Sequence, residues 1–94
     1  MRVLAVGGGA REHAIVAALA RSGADVYAAL KNRNPGISRA AKECAYVDET
    51  DVAKVVEFAK AKGVELAVVG PEAPLEAGLA DGLRKAGIPT ASPS

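Results

Sequence analysis

The feature that most limits the folds open to this chain is an alternation. Short, mostly apolar runs at 2–6, 25–30, 44–47, 64–69 and 88–91 are separated by stretches whose apolar residues recur at helical spacing. A nearly continuous apolar run bounded by glycine reads as a strand buried on both faces. Strands that alternate with helices call for a parallel sheet joined by right-handed crossovers, with helices over both faces. The expected class is α/β: a doubly wound parallel sheet of about five strands, in the common order 3-2-1-4-5.

The intervening segments support this. Residues 10–21 carry Ala14, Ile15, Ala18 and Leu19 as an apolar stripe and stop at Ser22-Gly23, a left-handed cap. The stretch 31–36 has turn chemistry and leaves room for a short helix at 37–43. Acidic residues at 48–51 cap a helix with Val52, Val55, Val56 and Ala59 on one face, ending at Lys62-Gly63. A last helix places Leu75, Leu79 and Leu83 together and ends near Ala86-Gly87. Residues 1–91 therefore read as one domain, and 92–94, Ser-Pro-Ser, as the start of a linker.

Composition narrows the class of partner. Of 94 residues half are apolar but only 3% aromatic, Tyr27, Tyr46 and Phe58, so the core must be built from valine, leucine, isoleucine and alanine. Twelve basic against eleven acidic side chains give a net charge of +1. That balance provides no broad field for nucleic acid or an acidic membrane, and any anion must be held by local geometry. The single Cys44 can form no internal disulfide and is expected to be a buried apolar residue in a reducing, cytoplasmic setting. No run is long enough for a signal core or a membrane span.

In the order 3-2-1-4-5 the first and fourth strands are neighbours and the chain reverses direction between them, opening a crevice at their carboxyl ends. Two unusual loops fall there: Gly7-Gly8-Gly9-Ala10-Arg11-Glu12-His13 and Gly70-Pro71-Glu72-Ala73-Pro74. Glycines allow close approach of backbone to an anion, and the helix that follows offers free N–H groups and its positive dipole end. A tight βα turn uses glycine for steric reasons alone, but Arg11 adds to the case. A cation in a first helical turn is opposed by the dipole unless an anion sits between them.

The dinucleotide fingerprint fails twice. It needs glycine where the chain has Glu12, and an acid at the end of the second strand where the chain has Leu30-Lys31-Asn32. An NADP-type module holding a 2′-phosphate through Lys31 or Arg33 would still lack the third glycine. No P-loop occurs. Glu72, between Pro71 and Pro74, is aimed by a restricted backbone, and its two oxygens suit the vicinal diol of a ribose whose 5′ end carries phosphate. The plain alternative for Glu72 is helix capping. His13 is expected to be a structural hydrogen-bond partner. Asn34 and Pro35 border the same crevice, where an ordinary turn would also explain them.

These strings carry a resemblance. Gly7-Gly8-Gly9-Ala10-Arg11-Glu12-His13-Ala14 is similar to the Gly-Ser-Gly-Gly-Arg-Glu-His-Ala signature of phosphoribosylamine-glycine ligases, also called glycinamide ribonucleotide synthetases. Gly70-Pro71-Glu72-Ala73-Pro74-Leu75 matches that family's second motif, and Asn34-Pro35-Gly36 resembles its looser third loop. Departures are Gly8 and Ala10 for serine and glycine, and Ala91-Ser92-Pro93-Ser94 where the family reads Phe-Gly-Pro-Ser.

The resemblance implies a Rossmann-like, pre-ATP-grasp N-terminal domain of a purine-biosynthesis ligase. That family joins glycine to phosphoribosylamine through a glycyl phosphate made from ATP and magnesium. It further implies that Gly7, Gly8, Gly9, Arg11 and Glu12, with Asn34, Pro35, Gly70, Pro71 and Glu72, form a substrate-binding site. Gly7, Gly9 and Arg11 would serve the phosphate and Glu72 the sugar hydroxyls. The expected ligand is phosphoribosylamine or a ribose 5-phosphate group, and the expected partners are ATP-grasp domains absent from the printed chain. No catalytic residue, metal site or cofactor is expected in these residues, so the isolated chain should be inactive. A free-standing ribose-phosphate-binding domain is the alternative, and a homodimer would cover apolar surface left by missing neighbours.

Overall fold

The structure, a computed structural model, describes residues 1–7, 10–48, 51–69 and 76–91, with the side chains of residues 10, 11, 76 and 77 outside that description. In chain order the elements are β1 (Arg2–Val6), α1 (Ala10–Arg21), β2 (Asp25–Leu30), α2 (Pro35–Ala40), β3 (Glu43–Tyr46), α3 (Val52–Ala61), β4 (Leu66–Val69), α4 (Glu76–Lys85) and β5 (Thr90–Ala91). The strands form one parallel sheet in the order β3-β2-β1-β4-β5. Class, strand number and order agree with the expectation from the sequence.

The sheet divides the core in two because successive side chains of a strand point to opposite faces. On one face Leu4 and Val6 of β1 and Tyr27 and Ala29 of β2 pack against Val55 and Ala59 of α3 and Leu79 and Leu83 of α4. On the other, Ala5, Val26, Ala28 and Leu30 meet Val16 of α1 and Ile37 of α2. Aromatics contribute one edge-on contact, Tyr27 to Phe58, with ring centroids 6.3 Å apart.

Capping explains where elements start and stop. α3 begins at Asp51, whose carboxylate accepts from the Lys54 N–H. Helices α1, α3 and α4 all end alike: Ala24 donates to the Leu19 carbonyl, Val64 to Ala59 and Ile88 to Leu83, past Gly23, Gly63 and Gly87 at positive φ. Because Val64 and Ile88 complete these caps, β4 and β5 start two residues later than their apolar runs do. α2 starts earlier than expected, at Pro35, since Asn34 caps it and proline at the first helical position gives up an N–H that has no helical partner.

The stripe expected on α1 is displaced. Ala14 and Ala18 are exposed, and the buried positions are Glu12 and Val16, followed by half-buried Leu19 and Ala20. In a helix this rich in alanine the apolar pattern has little contrast, and Val16 rather than the alanines selects the inner face. Cys44 is half-buried at the β3 edge rather than enclosed. The large exposed hydrophobic residues among the described ones are Met1 and Tyr46. No helix of the described residues is long and apolar enough to cross a membrane.

Candidate functional site

Val6 of β1 and Val69 of β4 are Cα partners in the sheet. The two strands that precede the motif-bearing segments therefore end side by side at the carboxyl edge of the sheet, where the strand order reverses. Gly8, Gly9, Gly70, Pro71 and Glu72, five of the ten residues assigned to the site from the sequence, lie outside the described residues. For Arg11 the structure gives the backbone, in the first turn of α1.

Gly7 continues the ladder one step past β1, its N–H donating to the Ala29 carbonyl at 3.0 Å, and then departs at φ +124°. A side chain there would be doubly opposed. The conformation is one that L residues rarely adopt, and a Cβ would fall 2.6 Å from Glu12 Oε1 and 2.9 Å from its Cδ and Cγ. Glu12, at the third position of α1, thus folds back beneath Gly7. It is 3% exposed, and its Oε2 has no hydrogen-bond partner among the described residues. Glu12 falls where a dinucleotide loop needs its third glycine, for close helix–strand packing; here a buried carboxylate takes that place.

The third loop joins the same edge. The Asn34 side-chain oxygen accepts from the N–H groups of Gly36 and Ile37, at 3.0 and 3.2 Å. Gly36 lies against the imidazole of His13, which docks the start of α2 onto the first turn of α1. His13 is exposed and makes no hydrogen bond among the described residues, so its structural part is packing, not the hydrogen bonding expected of it. Pro35 is exposed on this turn. Arg33 places its guanidinium 5.9 Å from the centre of the Tyr46 ring, and the Tyr46 hydroxyl meets Ser38 Oγ at 3.0 Å. That cation–π contact engages one of the two basic residues that a 2′-phosphate would have used.

Sequence reasoning named Glu12 but did not foresee its burial. The signal was available: Glu12, Val16 and Ala20 share a face at i, i+4 spacing, and only the charge kept Glu12 off the stripe. The contact between His13 and Gly36 had no local signal, since it joins residues 23 positions apart through tertiary packing.

The family model described as phosphoribosylglycinamide synthetase, N domain, matches residues 1–94. Phosphoribosylamine–glycine ligases of Pyrococcus abyssi and Thermococcus gammatolerans are each 55% identical over 94 residues, covering 100% of this chain and 22% of theirs. That of Methanoregula boonei is 52% identical over 95 residues, again covering 22% of its length. The chain spans about a fifth of the length of these relatives.

Among solved structures, glycinamide-RNase-transformylase T from Mycobacterium tuberculosis aligns with a TM-score of 0.74 at 18% identity, over 98% of this chain and 26% of that one. Phosphoribosylglycinamide synthetase from Anaerococcus prevotii aligns at 0.62 and 22% identity, over 72% of this chain and 18% of that one. At those identities the likeness concerns the fold. With a full-length family match and relatives above half identity, the chain belongs to the phosphoribosylglycinamide synthetase N-domain family.

Proposed function

We propose that this chain is the phosphoribosylamine-binding domain of an ATP-dependent ligase of purine biosynthesis, with the ribose 5-phosphate part of the substrate seated between the segments 7–12 and 70–74. The observation that supports the reading is the pairing of Val6 with Val69, the strand ends from which the two motif-bearing segments continue. In this assignment Gly7, Gly9 and Arg11 serve the phosphate, aided by the N-terminal N–H groups of α1, and Glu72 accepts from the sugar hydroxyls. The domain's chemical task is to hold the sugar so that its amine faces an activated glycine carboxyl.

Activation itself belongs to the remaining four-fifths of a ligase such as the relatives named above. We assign this domain no step through magnesium or ATP. Alone, it binds and does not ligate. A few charge-assisted hydrogen bonds of about 1.5–3 kcal/mol each, offset by the cost of immobilising a small ligand in an open crevice, give an affinity near about 1 mM, roughly −4 kcal/mol.

Titration with ribose 5-phosphate, followed by amide chemical shifts, tests the assignment. Shifts are expected at residues 7–12 and at 72. Arg11→Ala should weaken the response, and Glu72→Ala should affect the phosphorylated sugar more than inorganic phosphate. Saturable shifts elsewhere, or formation of glycinamide ribonucleotide by the chain unaided, would refute it.

A further inference from the structure

Gly36 has no backbone reason to be glycine. It is the second residue of α2 and is not among the glycines at positive φ, so its conformation admits a side chain, and in a helix alanine is intrinsically favoured over glycine. What excludes a side chain is the imidazole of His13, whose Cε1 and Cδ2 lie 2.5 and 2.9 Å from where a Cβ on Gly36 would stand. His13 in turn adds little to the stability of the fold. It is exposed and makes no hydrogen bond among the described residues, and substitution at such a surface position changes stability only slightly. A helix position that gives up propensity to admit an exposed ring answers a requirement of placement, not of stability.

The two residues meet at the carboxyl edge of the sheet. Ala29 of β2 is the Cα partner of Val6 at the end of β1, and the Gly7 N–H donates to the Ala29 carbonyl, so the segment that leads from β2 to α2 starts beside the end of β1. Ile37 anchors α2 in the core with Val16 and Leu30. The turn just before it is braced twice. Within the turn the Asn34 side-chain oxygen accepts from the Gly36 and Ile37 N–H groups, and from the side of α1 the His13 ring packs against Gly36. A shift of Gly36 is therefore passed to Asn34 through the cap. We propose that His13 is a positioning residue of the substrate crevice: its imidazole sets how closely the Asn34-Pro35-Gly36 turn approaches the first turn of α1. The inference rests on the reading of this crevice as the ribose 5-phosphate site. It gives His13 no contact with the ligand, because the ring acts through Gly36 and the Asn34 cap.

The test uses the whole chain, its His13→Ala, His13→Met and Gly36→Ala variants and the double variant of His13→Ala with Gly36→Ala. Ribose 5-phosphate titration, urea unfolding and amide hydrogen exchange are the readouts. His13→Ala and Gly36→Ala should each raise the ribose 5-phosphate dissociation constant by about fivefold or more, since each takes the ring from its place against the turn. The double variant should bind no more weakly than His13→Ala, because without the ring the added methyl has nothing to displace. His13→Met, which has similar reach but neither charge nor N–H, should bind within about twofold of the parent. A purely structural role predicts affinities that follow stability, so parental affinity in a Gly36→Ala chain of parental stability overturns the proposal. Parental affinity in His13→Ala does so too. Binding by His13→Met as weak as by His13→Ala would make the imidazole a ligand of the phosphate and likewise overturns it. If His13→Ala does not fold, Gly36→Ala and His13→Met decide by the same criteria. Should the parent itself fail to bind ribose 5-phosphate, the phosphate reading falls and hydrogen exchange decides the role of His13. The Gly36 and Ile37 amides must then exchange more than about tenfold faster in His13→Ala while those of α3 stay as in the parent, and parental exchange overturns the idea.

Discussion

The imidazole of His13 occupies the space that a side chain on Gly36 would need. A Cβ built there would lie 2.5 Å from the ring Cε1 and 2.9 Å from Cδ2. Gly36 is also the second residue of α2, where alanine is intrinsically favoured over glycine by up to about 1 kcal/mol. The two effects oppose one another. Gly36→Ala should be near neutral in the parent chain, because the exposed imidazole swings aside at some cost, and stabilising by about 0.5–1 kcal/mol in a His13→Ala background. Urea unfolding of the four members of this cycle checks it; equal effects in both backgrounds would show that the two residues are not coupled.

Two glycines of α4 should respond in opposite directions. Nothing lies within 4 Å of a Cβ on Gly78, whereas one on Gly82 would fall 2.6 Å from Val52 Cγ1 of α3. Gly78→Ala gains helix propensity and should raise the melting temperature by about 3–6 °C in a domain of this size. Gly82→Ala must force α3 and α4 apart, and overpacking of about 1–3 kcal/mol should exceed the gain in propensity. Thermal unfolding of both variants measures the contrast.

Gly7→Ala combines left-handed backbone strain with a collision against buried Glu12. A loss of about 2 kcal/mol or more is expected. Glu12→Ala made in the same chain should remove the collision but not the strain, so denaturant unfolding of the double variant should recover only part of the loss relative to Glu12→Ala alone.

Neither NAD nor NADP should bind. Glu12 stands where the third fingerprint glycine is required, and Arg33, a candidate for a 2′-phosphate, is turned onto Tyr46. Amide shifts during titration with each dinucleotide should stay flat through the millimolar range where ribose 5-phosphate acts. Saturable micromolar binding of either cofactor would displace the ligase-domain reading.

The order of the sheet was legible because alternation and crossover handedness leave few topologies, and β1 and β2 were bounded correctly by glycine and turn residues. The limits of β4 and β5 were less legible, since Val64 and Ile88 look like strand residues but are held by the ends of α3 and α4. The inner face of α1 was obscured by alanines, which fit either side of a helix. The adjacency of the β1 and β4 ends followed from topology, whereas the enclosure of Glu12 under Gly7 and the fit of His13 to Gly36 depend on tertiary contacts that no local pattern records.

The central claim is the place of the phosphate, and a crystal structure of the chain grown with ribose 5-phosphate tests it most directly. The account predicts the phosphorus at the N-terminus of α1, with its oxygens within hydrogen-bond distance of backbone N–H groups in residues 7–12 and the ribose diol on Glu72. A ligand bound with its phosphate away from that loop, or with the diol turned from Glu72, would contradict it.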